Sequence, residues 1–232
     1  YFPPTYGTQT VNNLRTWMYR KDIFEKHGLE APKTTTELYE VAKKLKELKA
    51  ILSDMDVEIL SQREAGCNFE VDETGTTFAE NAYLKAKAVF DATGEATVAD
   101  DSGLMVDALN GERGVYSERY APGGHDASDK EKYMYLLSKL EGVTDRRAKF
   151  VYSICCLLPD GTEIRTEGEC RGQILTEPHG EGGFGYDPVF MPDGYSDSMA
   201  VLGSEVKNKI SHRAHALEKF RTELRRINGT DK

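Results

Sequence analysis

At 232 residues, with 39% hydrophobic and 30% charged side chains, the chain is long enough to bury one large core or two small ones, and it carries no apolar run near the ~20 residues that a bilayer span requires. A formal net charge of −9 excludes a nucleic-acid scaffold, because phosphate-backbone affinity rests on clustered lysine and arginine. Cys67, Cys155, Cys156 and Cys170 show no metal-ligand spacing and read as reduced thiols, and the opening lacks the basic-then-apolar pattern of a signal peptide, so the expected compartment is the cytoplasm.

The chain opens on Tyr1 rather than methionine, which fits a fragment or a processed product. Tyr1-Phe2-Pro3-Pro4 is extended and incompatible with helix. Residues 14–19 make a candidate strand, and residues 22–28 a short helix closed by Gly28. Capping-box spacing from Thr34 to Glu37, with apolar Leu38, Val41, Leu45, Leu48, Leu52 and Met55, predicts a helix over about residues 36–53. The run from Tyr19 to Thr34, followed by Glu37-Leu38-Tyr39, resembles part of an ABC-transporter solute-binding protein, over only the first fifth of the chain. A change of character near Lys46 therefore divides a foreign segment, 1–46, from a domain over 47–232.

Within that domain, Asp56-Val57-Glu58-Ile59-Leu60 is a candidate strand. Thr77 is a good helix N-cap with Glu80 at the capping-box position, and the helix carries Lys85 and Lys87. A glutamate there is ordinarily a cap, and helix lysines are ordinarily solvated. Ala96-Thr97-Val98-Ala99-Asp100-Asp101-Ser102-Gly103-Leu104 is a β-favouring run that ends in two carboxylates, a hydroxyl and a glycine, as a strand does at the rim of an α/β sheet. Adjacent aspartates point to opposite sides of the backbone, so one faces a site while the other braces the turn. Alone, Asp-Asp-Ser-Gly reads first as a capped turn.

Residues 126–140 form an amphipathic helix with apolar Tyr133, Leu136, Leu137 and Leu140. Strands over 148–158 and 163–171 flank Pro159-Asp160-Gly161 and predict a hairpin. The glycine cluster from Gly180 to Gly185 lets backbone amides approach a ligand, with Phe184 and Tyr186 as stacking faces for a planar base; a surface loop is the alternative. Lys207-Asn208-Lys209-Ile210-Ser211-His212-Arg213 starts a closing helix running to about Arg226, with apolar Ala214, Leu217, Phe220 and Leu224. Its basic start opposes the helix dipole, which points to an anion, an acidic neighbour or a solvated end.

Thr77-Phe78-Ala79-Glu80-Asn81-Ala82, Ala99-Asp100-Asp101-Ser102-Gly103-Leu104, Phe184-Gly185-Tyr186-Asp187-Pro188 and Lys207-Asn208-Lys209-Ile210-Ser211-His212-Arg213, in that order and spacing over about residues 48–224, closely resemble the inosine/xanthosine triphosphate pyrophosphatase family. The resemblance implies an α/β fold with a mixed, helix-flanked sheet, a homodimer, and Mg²⁺-dependent cleavage of deaminated purine nucleoside triphosphates (ITP, dITP, XTP) to the monophosphate and pyrophosphate. It further implies that Glu80 and Asp101 bind the metal, with Asp101 also the base for the attacking water. Ser102, Lys85 and Lys207 would meet phosphate or ribose, and Phe184, Gly185, Tyr186 and Asp187 would frame the base with His212 and Arg213. Mg²⁺ suits such acids because it takes few carboxylates and completes its shell with phosphate and water. Hydrogen-bond donors facing the base favour the O6 acceptor of hypoxanthine or xanthine over the amino group of adenine. Two departures stand out: segment 1–46 replaces the family's first strand and the Thr-Asn-Asn-like, lysine-bearing loop that grips the triphosphate, and Arg113 stands where proline is usual. Thr10-Val11-Asn12-Asn13 lies too early in the chain to be that loop. The rival expectation is therefore a catalytically impaired nucleotide-binding relative.

Overall fold

The computed structural model describes residues 59–109, 121–122, 127–181 and 183–227. Strands β1 (Thr97–Val106), β2 (Arg147–Leu157), β3 (Glu163–Ile174) and β4 (Phe190–Pro192) form one sheet in the order β1-β2-β3-β4. Every pairing among them is antiparallel. Among the described residues four helices flank the sheet: α1 (Phe78–Thr93), α2 (Asp129–Lys139), α3 (Met199–Ile210) and α4 (His212–Ile227). The expected α/β fold with a helix-flanked sheet is thus present, and among the described residues that sheet is antiparallel rather than mixed. Segment 1–46, the helix expected over 36–53, the strand candidate up to residue 58 and the turn around Arg113 lie outside the described residues; Ile59 and Leu60 are irregular. Among the described residues, no helix is long and apolar enough to cross a membrane.

The hairpin forms as its turn chemistry dictates. Asp160 Oδ1 accepts from Thr162 N at 2.8 Å, and Gly161 takes φ +86°, a left-handed conformation open to glycine. β1 corrects the sequence reading: it does not stop at the aspartates but continues to Val106, leaving Asp100 and Asp101 in mid-strand opposite Ile154 and Ser153. The reason is burial, since Leu104 and Val106 keep the period of two and sink into the core, which outweighs the turn preference of Asp-Ser-Gly.

Alternation then sorts the side chains onto two faces. On one face, Ala82 and Ala86 of α1 pack against Cys155 and Leu157, with Ala99, Tyr83 and Phe90 around them. On the other, Ala216, Leu217, Phe220 and Leu224 of α4 pack against Tyr152, Ile154, Cys156 and Ile164. Beside them Leu104, Val106, Ala148, Cys170 and Ile174 meet Leu136 of α2, Leu140 at its C-cap and Met199 of α3. α4 approaches β3 so closely that a Cβ on Gly168 would lie 2.1 Å from the His212 carbonyl oxygen and 2.4 Å from Ala216 N. Its side chains also serve the β3 backbone: His215 Nδ1 lies 2.8 Å from the Glu169 carbonyl oxygen, and Lys219 Nζ donates to that of Glu167 at 2.7 Å. The first of these contacts makes Nδ1 the protonated nitrogen of His215.

The closing region also differs from the sequence reading. Lys207 and Lys209 do not open the last helix; they sit in the final turn of α3, where cations are favoured by the dipole. Ser211, extended at φ −68° and ψ 151°, separates α3 from α4, and its Oγ accepts from Ala214 N at 3.2 Å. The dipole mismatch is therefore lifted for the two lysines, while His212 and Arg213 still open α4 with no acidic residue in its first turn. The signal missed was Ser198, whose Oγ accepts from Val201 N and starts α3.

All four thiols are free and buried. Burial pushes Cys155 up to about 11, Cys156 up to about 12 and Cys170 up to about 11. Because the thiolate is the nucleophile, iodoacetamide at pH 8 should leave these three unmodified in the folded protein and alkylate them after unfolding, as read by intact mass. Gly168→Ala should lower stability by about 3 kcal/mol, since backbone rather than a movable side chain meets the added methyl. A denaturant midpoint equal to the parent's would show that α4 can move away from β3.

Candidate active site

The centre of the site is a lysine between two acids. Lys85 projects from the second turn of α1, its Nζ 3.0 Å from Glu73 Oε1 and 3.3 Å from Asp101 Oδ1. Asn81, one helical turn earlier and fully buried, donates from Nδ2 to Asp101 Oδ2 at 3.1 Å. The α1 N-terminus is set by a capping box: Thr77 Oγ1 accepts from Glu80 N at 3.1 Å while Glu80 Oε2 accepts from Thr77 N at 3.1 Å. Glu80 Oε2 also accepts from Thr76 N at 2.6 Å and Thr76 Oγ1 at 2.9 Å.

These bonds separate two acids. The one that joins Asp101 at Lys85 is Glu73, five residues before α1, whereas Glu80 turns its Oε2 into the cap. Glu80's carboxyl is held below the usual carboxylate range, first by the Thr76 backbone N–H, as a capping acid should be. No helical or strand spacing connects Glu73 to Asp101, so pattern reading passed over it; only the irregular segment 67–75 carries it there.

Burial pushes the Asp101 carboxyl above its ordinary value, and Glu73 adds to this, while Lys85 and the Asn81 amide oppose it. Lys85 is also partly buried, which alone would lower it, but the charge of Asp101 and the bond to Glu73 hold its ammonium above the ordinary lysine value. The site is thus a partly dehydrated carboxylate kept ionisable by one cation, which is the condition for a proton acceptor. Two carboxylates converging on one cation are also a fitting donor set for a hard divalent ion. Among the described residues no group of three or more His, Cys, Asp or Glu forms a complete metal cage, and Mg²⁺ does not need one when phosphate and water fill its shell.

The remaining predicted residues gather elsewhere. Ser102, next to Asp101 in β1, falls on the opposite face by alternation. That face also carries His212, stacked on Phe150 with ring centroids 4.9 Å apart and edge-on to Tyr152, and Arg213, whose guanidinium lies 5.3 Å from the Tyr152 ring centre. The glycine-rich loop is folded back on two acids. Phe184 N donates to Asp187 Oδ2 at 2.9 Å, and Gly185 N, at φ +59°, donates to Asp129 Oδ2 at 2.8 Å. Lys207 Nζ forms an ion pair with Asp187, which is only 5% exposed at its side chain. Phe184 is 39% exposed, with a ring free to stack, whereas Tyr186 is 6% exposed and packs with Val189 and Phe190. Tyr186 is therefore a core residue rather than a stacking face.

Residues 40–223 match the Ham1 family. The dITP/XTP pyrophosphatase of Aquifex aeolicus is 46% identical over 184 residues, spanning 76% of this chain and 89% of that protein. The dITP/XTP pyrophosphatase of Bacillus subtilis is 46% identical over 180 residues, spanning 76% and 89%. Among solved structures, the Staphylococcus aureus Ham1 protein matches with a TM-score of 0.74 at 42% identity, covering 78% of this chain and 93% of that one. A HAM1 protein from Coxiella burnetii matches with a TM-score of 0.73 at 37% identity, covering 84% and 95%.

The loop geometry makes a prediction of its own. Asp187→Asn keeps an oxygen for Phe184 N but leaves the Lys207 ammonium without its counter-charge, and removing one partner of such a buried pair costs about 3 kcal/mol. Urea denaturation should show this loss. A change within experimental error would mean that Lys207 turns out to solvent and that the pair does not hold the loop.

Proposed function

This chain belongs to the Ham1 family, and from that membership we propose that it hydrolyses deaminated purine nucleoside triphosphates such as dITP, ITP and XTP to the monophosphate and pyrophosphate. The support is twofold: relatives at 46% identity are dITP/XTP pyrophosphatases, and the chain itself holds a raised carboxylate, Asp101, within reach of Lys85 and Glu73. The convergence of Glu73 and Asp101 on Lys85 is the observation that carries the reading.

In the proposed reaction, water attacks the α-phosphorus, forming one P–O bond while the α–β anhydride bond breaks and pyrophosphate leaves. Asp101 accepts the proton of the attacking water and passes it to solvent. Lys85 offers ammonium hydrogens to phosphate oxygens and keeps Asp101 ionised. Glu73 and Asp101 would hold Mg²⁺, which when bound offsets phosphate charge and orients the triphosphate. On the other face, Ser102 would meet ribose or phosphate, Phe184 would stack on the base, and His212 and Arg213 would offer donors to O6, with Lys207 and Asp187 fixing the loop between them. The molecule would work as a cytoplasmic homodimer, where the nucleotide pool lies.

Pyrophosphate release should be fast with ITP, dITP or XTP, slow with ATP, and lost when EDTA removes Mg²⁺. Asp101→Asn should lower kcat/KM at least about a hundredfold, the scale of a lost general base. Glu73→Gln should be similarly damaging. Glu80→Gln, which can still cap the helix, should stay within about fivefold of the parent. Equal losses for Glu73→Gln and Glu80→Gln would return Glu80 to the metal, and no release from any of the three substrates would refute the assignment as a whole.

A further inference from the structure

One buried side chain joins the two acids. Asn81 is 0% exposed, and both ends of its amide are used: Nδ2 donates to Asp101 Oδ2 at 3.1 Å, and Oδ1 accepts from Gly75 N at 2.8 Å. The orientation is fixed by chemistry, since an ionised carboxylate can only accept and a backbone N–H can only donate. Gly75 lies two residues after Glu73, in a stretch with no regular secondary structure to hold it. A Cβ on Gly75 would lie 2.6 Å from Asn81 Oδ1 and 2.7 Å from Glu80 Cβ, so the loop rests directly on this amide.

We propose that Asn81 is a positioning residue for the reaction proposed above: a buried clamp that sets where Asp101 points and, through Gly75, where Glu73 stands relative to it. The first turn of α1 thereby becomes the common reference for two acids that arrive from unrelated segments. The clamp needs asparagine. Aspartate keeps an acceptor for Gly75 N but loses the donor to Asp101, alanine loses both, and glutamine carries an extra methylene into a site with no exposed surface. Asn81 touches neither substrate nor metal in this scheme and acts only through Asp101 and Gly75.

The test uses the full chain with ITP and Mg²⁺, together with amide hydrogen exchange at Gly75. At saturating Mg²⁺, Asn81→Asp should lower kcat about a hundredfold while KM for ITP stays within about threefold, because Lys85 and the residues around the base still hold the substrate while the misplaced base slows chemistry. Gly75 N–H should remain protected in this variant, because the acceptor is kept. Asn81→Ser, which reaches neither partner, should lower kcat at least as far and also speed Gly75 exchange about tenfold or more. It reads the same split if the extra carboxylate prevents Asn81→Asp from folding. A folded variant with kcat within threefold of the parent, or a rise in KM with kcat unchanged, overturns the proposal. So does unchanged Gly75 exchange in Asn81→Ser. If the parent itself releases no pyrophosphate, the functional reading fails instead, and the exchange measurement still decides whether the clamp exists.

Discussion

Ten residue pairs between β1 and β2, from Thr97 opposite Leu157 to Val106 opposite Ala148, determine which side of the sheet each site residue faces. Because side chains alternate with a period of two, slipping this register by one residue would move every one of them to the wrong layer. The adjacent Cys155 and Cys156 show the consequence: one lies in the core under α1 and the other in the core under α4. In the same way Asp101 is delivered to α1, where Asn81 and Lys85 wait, while Ser102 is delivered to the side of His212 and Arg213. The ladder between two long strands is what allows one short peptide stretch to serve two environments.

The Asp101 charge runs against stability, whereas that of Lys85 supports it. Asp101 is raised, so the folded state binds its proton more tightly than the unfolded chain does, and this contribution is lost as pH rises through and above the ordinary carboxylate range. Lys85 is raised too, so its favourable contribution is complete below the ordinary lysine value and is lost only in strongly alkaline solution. When ionised, Asp101 is a partly buried carboxylate that Lys85 and Asn81 compensate. Capping acids behave in the opposite sense: Glu80 and Glu131 are both held low by the backbone and hydroxyl donors at the starts of α1 and α2.

The glycine-rich loop follows a related logic. Backbone N–H groups at Phe184 and Gly185 would be costly if left without acceptors, and Asp187 and Asp129 supply them from within the loop and from the start of α2. With its backbone tied down, the loop exposes the Phe184 ring while burying Tyr186 beside Val189 and Phe190. Lys207, reaching in from the last turn of α3, balances Asp187, so α2, the loop and α3 are joined by carboxylates rather than by regular secondary structure.

What the amino-acid sequence determined by itself was local. Pro159-Asp160-Gly161 specifies its hairpin, Thr77 and Glu80 specify the start of α1, and Tyr133, Leu136, Leu137 and Leu140 mark the buried side of α2, because turn chemistry, capping and periodicity are written within a few residues. The motif order also carried the family. What only the tertiary structure decided was which residues meet. Glu73 reaches Lys85 across an irregular segment, Asn81 joins Gly75 to Asp101, and Asp129 accepts from Gly185 over a separation of 56 residues. None of these has a spacing signal, since each depends on how an irregular segment lies against α1 or α2 and, for Asp101, on the register that turns it toward α1. The extension of β1 past its aspartates and the split of the closing region at Ser211 have the same origin. Burial of Leu104 and Val106, and the fit of α4 over Gly168, outweighed the local preferences that sequence reading relies on.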